Sequence, residues 1–132
     1  MTKKILVIDG DTNWANELGL QFMSSGLDVR TALDGLMGIK QAQEFRPHLI
    51  ILDLKLPAGG GLFVLERLKA SVYTQNIPVM IVSGLEDESI KAKAIRLGIH
   101  VYFQKPCDSD DIIRKAAGIF QETFKNFPTE EF

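Results

Sequence analysis

Three short runs in this chain are apolar at every position: Ile5-Leu6-Val7-Ile8, Leu49-Ile50-Ile51-Leu52 and Val79-Met80-Ile81-Val82. A strand with one wet face alternates apolar and polar residues. A strand apolar throughout is buried on both faces, as in the centre of a parallel sheet covered by helices. Leu27-Asp28-Val29-Arg30-Thr31 and Val101-Tyr102-Phe103 are more mixed and predict strands nearer the sheet edges. Between these runs the apolar period becomes helical. Ala15, Leu18 and Phe22 form one stripe, Ile90, Ala94 and Leu97 a second, and Ile113, Ala116, Phe120 and Phe124 a third.

Punctuation falls at the junctions. Gly26 and Gly98 each close a helix just before a strand, and Pro47 and Pro78 precede strands where a helix cannot continue. Asp108, Ser109 and Asp110 supply a start for the last helix. The pattern predicts five β-α units without repeat or low-complexity sequence. Right-handed crossovers then give a doubly wound (βα)5 three-layer α/β sandwich on a parallel five-stranded sheet. One domain is expected over residues 1–125, with 126–132 as a tail or the start of a linker.

Composition narrows the class further. At 132 residues, with 45% hydrophobic and 24% charged residues, the chain has the length and balance of one soluble domain. The net charge of −2 and the scattered placement of 15 Lys and Arg argue against direct nucleic-acid binding. Cys107 is the only cysteine, which excludes an intramolecular disulfide and fits a cytoplasmic setting. The first apolar run is too short for a signal peptide or a membrane span, so no membrane association is expected.

In open parallel sheets, ligands bind beyond the carboxyl ends of the strands, near the point where strand order reverses. Asp9, Gly10 and Asp11 follow the first run, Asp53 the third, Ser83 the fourth, and Lys105-Pro106 the fifth. If the strand order is 2-1-3-4-5, these ends lie side by side, and one crevice then holds two or three carboxylates, a hydroxyl and an amine. That set suits phosphoryl chemistry. A carboxylate can attack phosphorus when a lysine and a carboxylate-bound magnesium ion offset the charge. No Cys-His or Ser-His pairing competes, since His48 precedes a strand and His100 starts one, neither with an evident partner.

From Lys4 to about Phe124 the chain resembles a response-regulator receiver domain, the family of the chemotaxis regulator CheY. Three motifs carry the resemblance: Leu52-Asp53-Leu54-Lys55-Leu56-Pro57-Ala58-Gly59-Gly60-Gly61, Pro78-Val79-Met80-Ile81-Val82-Ser83-Gly84, and Tyr102-Phe103-Gln104-Lys105-Pro106. Their order and spacing are specific where each alone is modest. The resemblance implies a phosphoacceptor role for Asp53, neutralisation of the phosphoryl group by Lys105 within a cis Lys-Pro unit, and a hydrogen bond from Ser83. Gly84 would leave room for the incoming group. Tyr102 would be the switch aromatic, moving with Ser83 and changing the surface of the fourth helix, fifth strand and fifth helix. Implied partners are a sensor histidine kinase or phosphotransfer protein and a downstream effector or fused output domain. A homodimer through the switching surface belongs to the same set.

The metal site departs from the family pattern. Two adjacent acids usually follow the first strand, the second a direct magnesium ligand; here Asp9 fits the first and Gly10 stands at the second. The remaining magnesium ligands are Asp9, Asp53 and the backbone carbonyl of Lys55, with Asp11 as a candidate substitute. The expectation is weakened Mg2+ binding, because this ion tolerates several waters. Lys55 and Leu85 would border the site and slow hydrolysis of the phosphorylated form. Trp14 is read as a helix-face contact nearby, and Cys107 as an ordinary small residue.

Two rival readings remain. A pseudo-receiver would keep the fold and work as an interaction module with weak or no phosphorylation; Gly10 speaks for it, while Asp53, Ser83 and Lys105 speak against it. Asp9-Gly10-Asp11-Thr12 also resembles the motif of haloacid-dehalogenase-type phosphatases, with Asp9 as nucleophile and Asp11 as acid, but that leaves the Asp53 motif unexplained. An EF-hand would need glycine at Trp14 and glutamate at Leu20, and Gly59-Gly60-Gly61 lacks the Lys-Ser or Lys-Thr of a phosphate-binding loop. A signalling domain rather than an enzyme is the expectation.

Overall fold

Strand and helix alternate without exception in the computed structural model, which describes residues 2–57 and 60–123. The elements are β1 (Lys4–Ile8), α1 (Thr12–Ser24), β2 (Asp28–Ala32), α2 (Gly35–Phe45), β3 (Leu49–Leu52), α3 (Gly60–Ala70), β4 (Val79–Ser83), α4 (Glu88–Leu97), β5 (Val101–Gln104) and α5 (Ser109–Thr123). All strand pairs are parallel, in the order β2-β1-β3-β4-β5. The three all-apolar runs are the three central strands, and the two mixed ones are the edges. Phe124 of the last predicted stripe and the predicted tail, 126–132, lie outside the described residues.

Alternation within each central strand divides the core in two. Ile5, Val7, Leu49, Ile51, Met80 and Val82 face α1 and α5, where they meet Ala15, Leu18, Phe22, Ile112, Ala116 and Phe120. Leu6, Ile8, Ile50, Leu52, Val79 and Ile81 face α2, α3 and α4, against Ala42, Phe45, Val64, Leu65, Leu68 and Ala94. Each fully buried large side chain in these layers contributes about 1.5–3 kcal/mol of transfer free energy. The predicted α5 stripe is shifted at its start. Ile112 is fully buried while Ile113 is only partly so, because the helix turns its Ile112-Ala116-Ile119-Phe120 face to the sheet.

Helix ends follow local chemistry. Asp11, Asp34 and Asp87 accept hydrogen bonds from the backbone N–H groups of Trp14, Met37 and Ile90, capping α1, α2 and α4. Gly98 ends α4 with φ of +97°, a conformation that costs glycine nothing. No helix among the described residues is long and apolar enough to cross a membrane.

At the opposite end of the sheet from the polar strand ends, His48 acquires a partner that its sequence context did not reveal. The N–H of Lys4 donates to its Nδ1 at 2.9 Å, because β1 and β3 begin side by side. Burial first, then the charges of Lys3 and Lys4, pushes its pKa below the ordinary 6.5. A histidine whose folded pKa is depressed binds protons better when unfolded. Its contribution is therefore complete above pH 6.5 and declines as pH falls through that value. Thermal unfolding from pH 7.5 to 5.5 should show this loss, and His48→Asn, which keeps an acceptor without titrating, should flatten it. An equal slope in the variant would assign the loss to carboxylates instead.

Candidate functional site

Sheet register gathers the polar strand ends. Ile8 pairs with Leu52, Leu52 with Ile81, and Ser83 with Gln104, so Asp9, Asp53, Ser83 and Lys105 emerge along one edge. Backbone bonds continue the alignment beyond the strands: Asp53 N–H donates to the Ile8 carbonyl at 2.9 Å and Lys105 N–H to the Ser83 carbonyl at 2.9 Å. The Lys105–Pro106 peptide is cis.

Asp9, Asp53 and Ser83 are all buried, at 1%, 6% and 0% exposure. Buried polar groups of this kind need partners, and each has them. One oxygen of Asp53 accepts from the Ser83 hydroxyl at 2.6 Å and from the Lys55 N–H at 2.9 Å. Its other oxygen faces the Lys105 ammonium at 3.3 Å. Asp9 takes the Asp11 N–H at 2.8 Å on one oxygen and Lys105 at 2.7 Å on the other. One cation thus bridges two carboxylates.

The electrostatics follow from that arrangement. Burial raises the Asp9 pKa, and the charge of Asp53 adds to it, while Lys105 and the Asp11 N–H oppose the rise. For Lys105, burial alone would lower the pKa. The hydrogen bond to Asp9 and the charges of both aspartates more than offset it, so the ammonium is held above its ordinary range.

A second chain of contacts leads outward. The Ser83 hydroxyl oxygen accepts from the Leu85 N–H at 3.2 Å, and the Tyr102 hydroxyl donates to the Leu85 carbonyl at 3.2 Å. Tyr102 is half-buried against the α2–α4 core layer, with the Lys91 ammonium 4.7 Å from its ring centre. Asp53, Ser83, Leu85 and Tyr102 therefore form a continuous path from the crevice to the surface of β5 and α4. Lys91 carried no sequence signal, because its contact spans two elements without any motif.

Asp9, Asp53, Ser83 and Lys105 are brought together, and the Asp11 backbone N–H joins them at Asp9. The Asp11 carboxylate lies at the exposed start of α1, where it caps the Trp14 N–H at 3.1 Å. Lys55 is exposed, and its ammonium lies 4.0 Å from where a Cβ on Gly84 would stand, so it reaches across the crevice mouth. The carboxylates of Asp9 and Asp53 supply buried oxygen donors at this edge. Gly10 adds none, and no group of three or more His, Cys, Asp or Glu suited to a metal assembles among the described residues. Trp14 does more than the helix-face contact expected of it: the Lys105 ammonium lies 4.1 Å from its ring centre.

Comparisons with known proteins agree with this fold. A family model, the response regulator receiver domain, matches residues 5–117. Over 120 residues the chain is 31% identical to the DNA-binding dual master transcriptional regulator RpaA of Synechocystis, a match covering 91% of this chain and 50% of that protein. It is 31% identical over 112 residues to sporulation initiation phosphotransferase F of Bacillus subtilis, covering 85% and 89% respectively. The CheY-like receiver domain protein of Methanospirillum hungatei superposes with a TM-score of 0.89 at 22% identity, over 96% of this chain and 100% of that one. The chain spans about half the length of RpaA and of the B. subtilis regulator PhoP, and 8% of hybrid signal transduction histidine kinase D of Dictyostelium discoideum.

Proposed function

The chain belongs to the response regulator receiver domain family, and from that premise we propose that it takes a phosphoryl group from a histidine kinase, or from a phosphotransfer protein, onto Asp53. One observation carries the reading: a buried carboxylate stands 2.6 Å from a hydroxyl and 3.3 Å from an ammonium at the open end of a parallel sheet. A carboxylate oxygen of Asp53 forms the new bond to phosphorus as the donor's phosphorus–nitrogen bond breaks. Lys105 neutralises the added charge, and Ser83 exchanges its bond to the carboxylate for one to a phosphoryl oxygen.

Magnesium, when bound, supplies the remaining positive charge at the phosphoryl oxygens. The donor set fits such an ion with most of its waters kept: Asp9, Asp53 and the Lys55 carbonyl are hard oxygens, with Gly10 the missing charged ligand. Movement of Ser83 pulls on Leu85, whose carbonyl holds the Tyr102 hydroxyl, so the signal reaches the α4-β5-α5 surface as a population shift. The chain is a cytoplasmic signalling domain with self-limited phosphoryl turnover. Its output passes to an effector, either a separate protein or a fused domain, or to a second copy across that surface.

Beryllofluoride, a mimic of the aspartyl phosphate, tests the proposal. Heteronuclear NMR at millimolar magnesium should show resonance shifts at Ser83, Leu85 and Tyr102, lost in Asp53→Asn. A wild-type chain as inert as that variant would favour the rival interaction module. That rival draws on Gly10 and on the way Lys105 already satisfies both carboxylates, at 2.7 and 3.3 Å.

A further inference from the structure

We propose that Trp14 is the positioning residue of the crevice: its indole face holds the Lys105 ammonium over Asp9 and Asp53, in place of water. The inference builds on Lys105 acting at the Asp53 site. An ammonium has three N–H bonds to direct. The Asp9 and Asp53 carboxylates take two directions, at 2.7 and 3.3 Å. The ring of Trp14 covers a further face at 4.1 Å, and the lysine side chain is left 19% exposed.

An aromatic face attracts a cation through its quadrupole, more strongly where water is excluded, and tryptophan does so best. Lysine otherwise has a flexible four-carbon stem and a strongly hydrated head, so the carboxylates alone leave it free to tilt toward solvent. The place of Trp14 is itself well determined. Its N–H is the one capped by Asp11, which sets the first turn of α1, and its ring packs on the α1–α5 core layer. Trp14 also lines a surface cavity of about 210 Å³, together with Leu18 and Cys107. A smaller residue at position 14 therefore opens the lysine to water rather than leaving a sealed void.

This arrangement matters more here because Gly10 withholds a charged metal ligand. The site depends correspondingly on its built-in cation, and on the group that keeps it in place.

Trp14→Phe and Trp14→Leu in the full chain separate the aromatic face from bulk. Two readouts apply: the proton–nitrogen cross-peak of the Lys105 ammonium in the free chain, and the dissociation constant for beryllofluoride with magnesium. Leucine should broaden the cross-peak by exchange with water and weaken beryllofluoride roughly 3- to 10-fold, the range a partly desolvated cation–aromatic contact supports. Phenylalanine should retain the cross-peak and lose less than about 3-fold. A wild-type cross-peak and affinity in Trp14→Leu would overturn the proposal, as would equal losses in the two variants tracking their melting temperatures. If wild type itself ignores beryllofluoride, the phosphoacceptor reading fails, and the cross-peak still decides whether Trp14 holds Lys105.

Discussion

Replacing Gly61 by alanine is expected to cost the fold about 3 kcal/mol, the upper end for overpacking a tight site, and to blunt binding at Asp53. A Cβ there would stand 2.3 Å from the Asp53 carbonyl oxygen and 2.4 Å from the Leu54 Cα. Both are backbone atoms, so no side-chain rotation relieves the clash. The approach is close because the Gly61 N–H donates to the Leu54 carbonyl at 3.0 Å, tying the first turn of α3 to the loop that carries Asp53. The helix cannot retreat, since Val64, Leu65 and Leu68 are anchored in the α2–α4 core layer. The loop must shift instead, and with it the carboxylate. Urea unfolding of Gly61→Ala should show the loss. A stability within about 0.5 kcal/mol of wild type, the range of ordinary surface changes, would mean the loop yields easily and the prediction fails.

The second large effect runs in the opposite direction. Gly10→Asp should tighten magnesium binding by at least about tenfold, or 1.4 kcal/mol, because a third carboxylate joins Asp9 and Asp53. The backbone permits the change: Gly10 has no left-handed φ, and its added Cβ would meet only the Pro57 Cδ at 3.3 Å and the Leu33 carbonyl at 3.6 Å. A shift of a few tenths of an ångström accommodates it. Without magnesium the new carboxylate repels Asp9 and Asp53, so the variant should melt below wild type in chelator and above it in excess magnesium. Trp14 fluorescence during a magnesium titration gives the affinity directly. Unchanged affinity, with melting insensitive to magnesium, would show that Gly10 does not limit the metal site.

The parts of this protein legible in sequence are those governed by local period and by short spacings. Burial on both faces makes a central strand apolar at every position, which is why β1, β3 and β4 stand out from the residue pattern alone. Asp53 and Ser83 are each tied to the end of such a strand, so their convergence follows from strand order. Lys105 follows a weaker run, Val101 to Phe103, and its motif located it. The start of the α5 stripe was less legible. Ile112 and Ile113 are both apolar, and only the packing angle of the helix on the sheet decides which of them is buried.

By itself, then, the sequence determined the layered fold, the crevice and the four side chains that meet in it, because each of these repeats a pattern within a few residues. Tertiary structure decided what those side chains do to one another. It joined Lys105 to Asp9 across 96 residues, made Asp11 a helix cap, gave His48 a partner in Lys4, and laid the Lys105 ammonium on Trp14. Such contacts depend on register and on distances of a few ångströms between separate elements. No local pattern encodes those distances; they exist only once the sheet has assembled and its helices have packed against it.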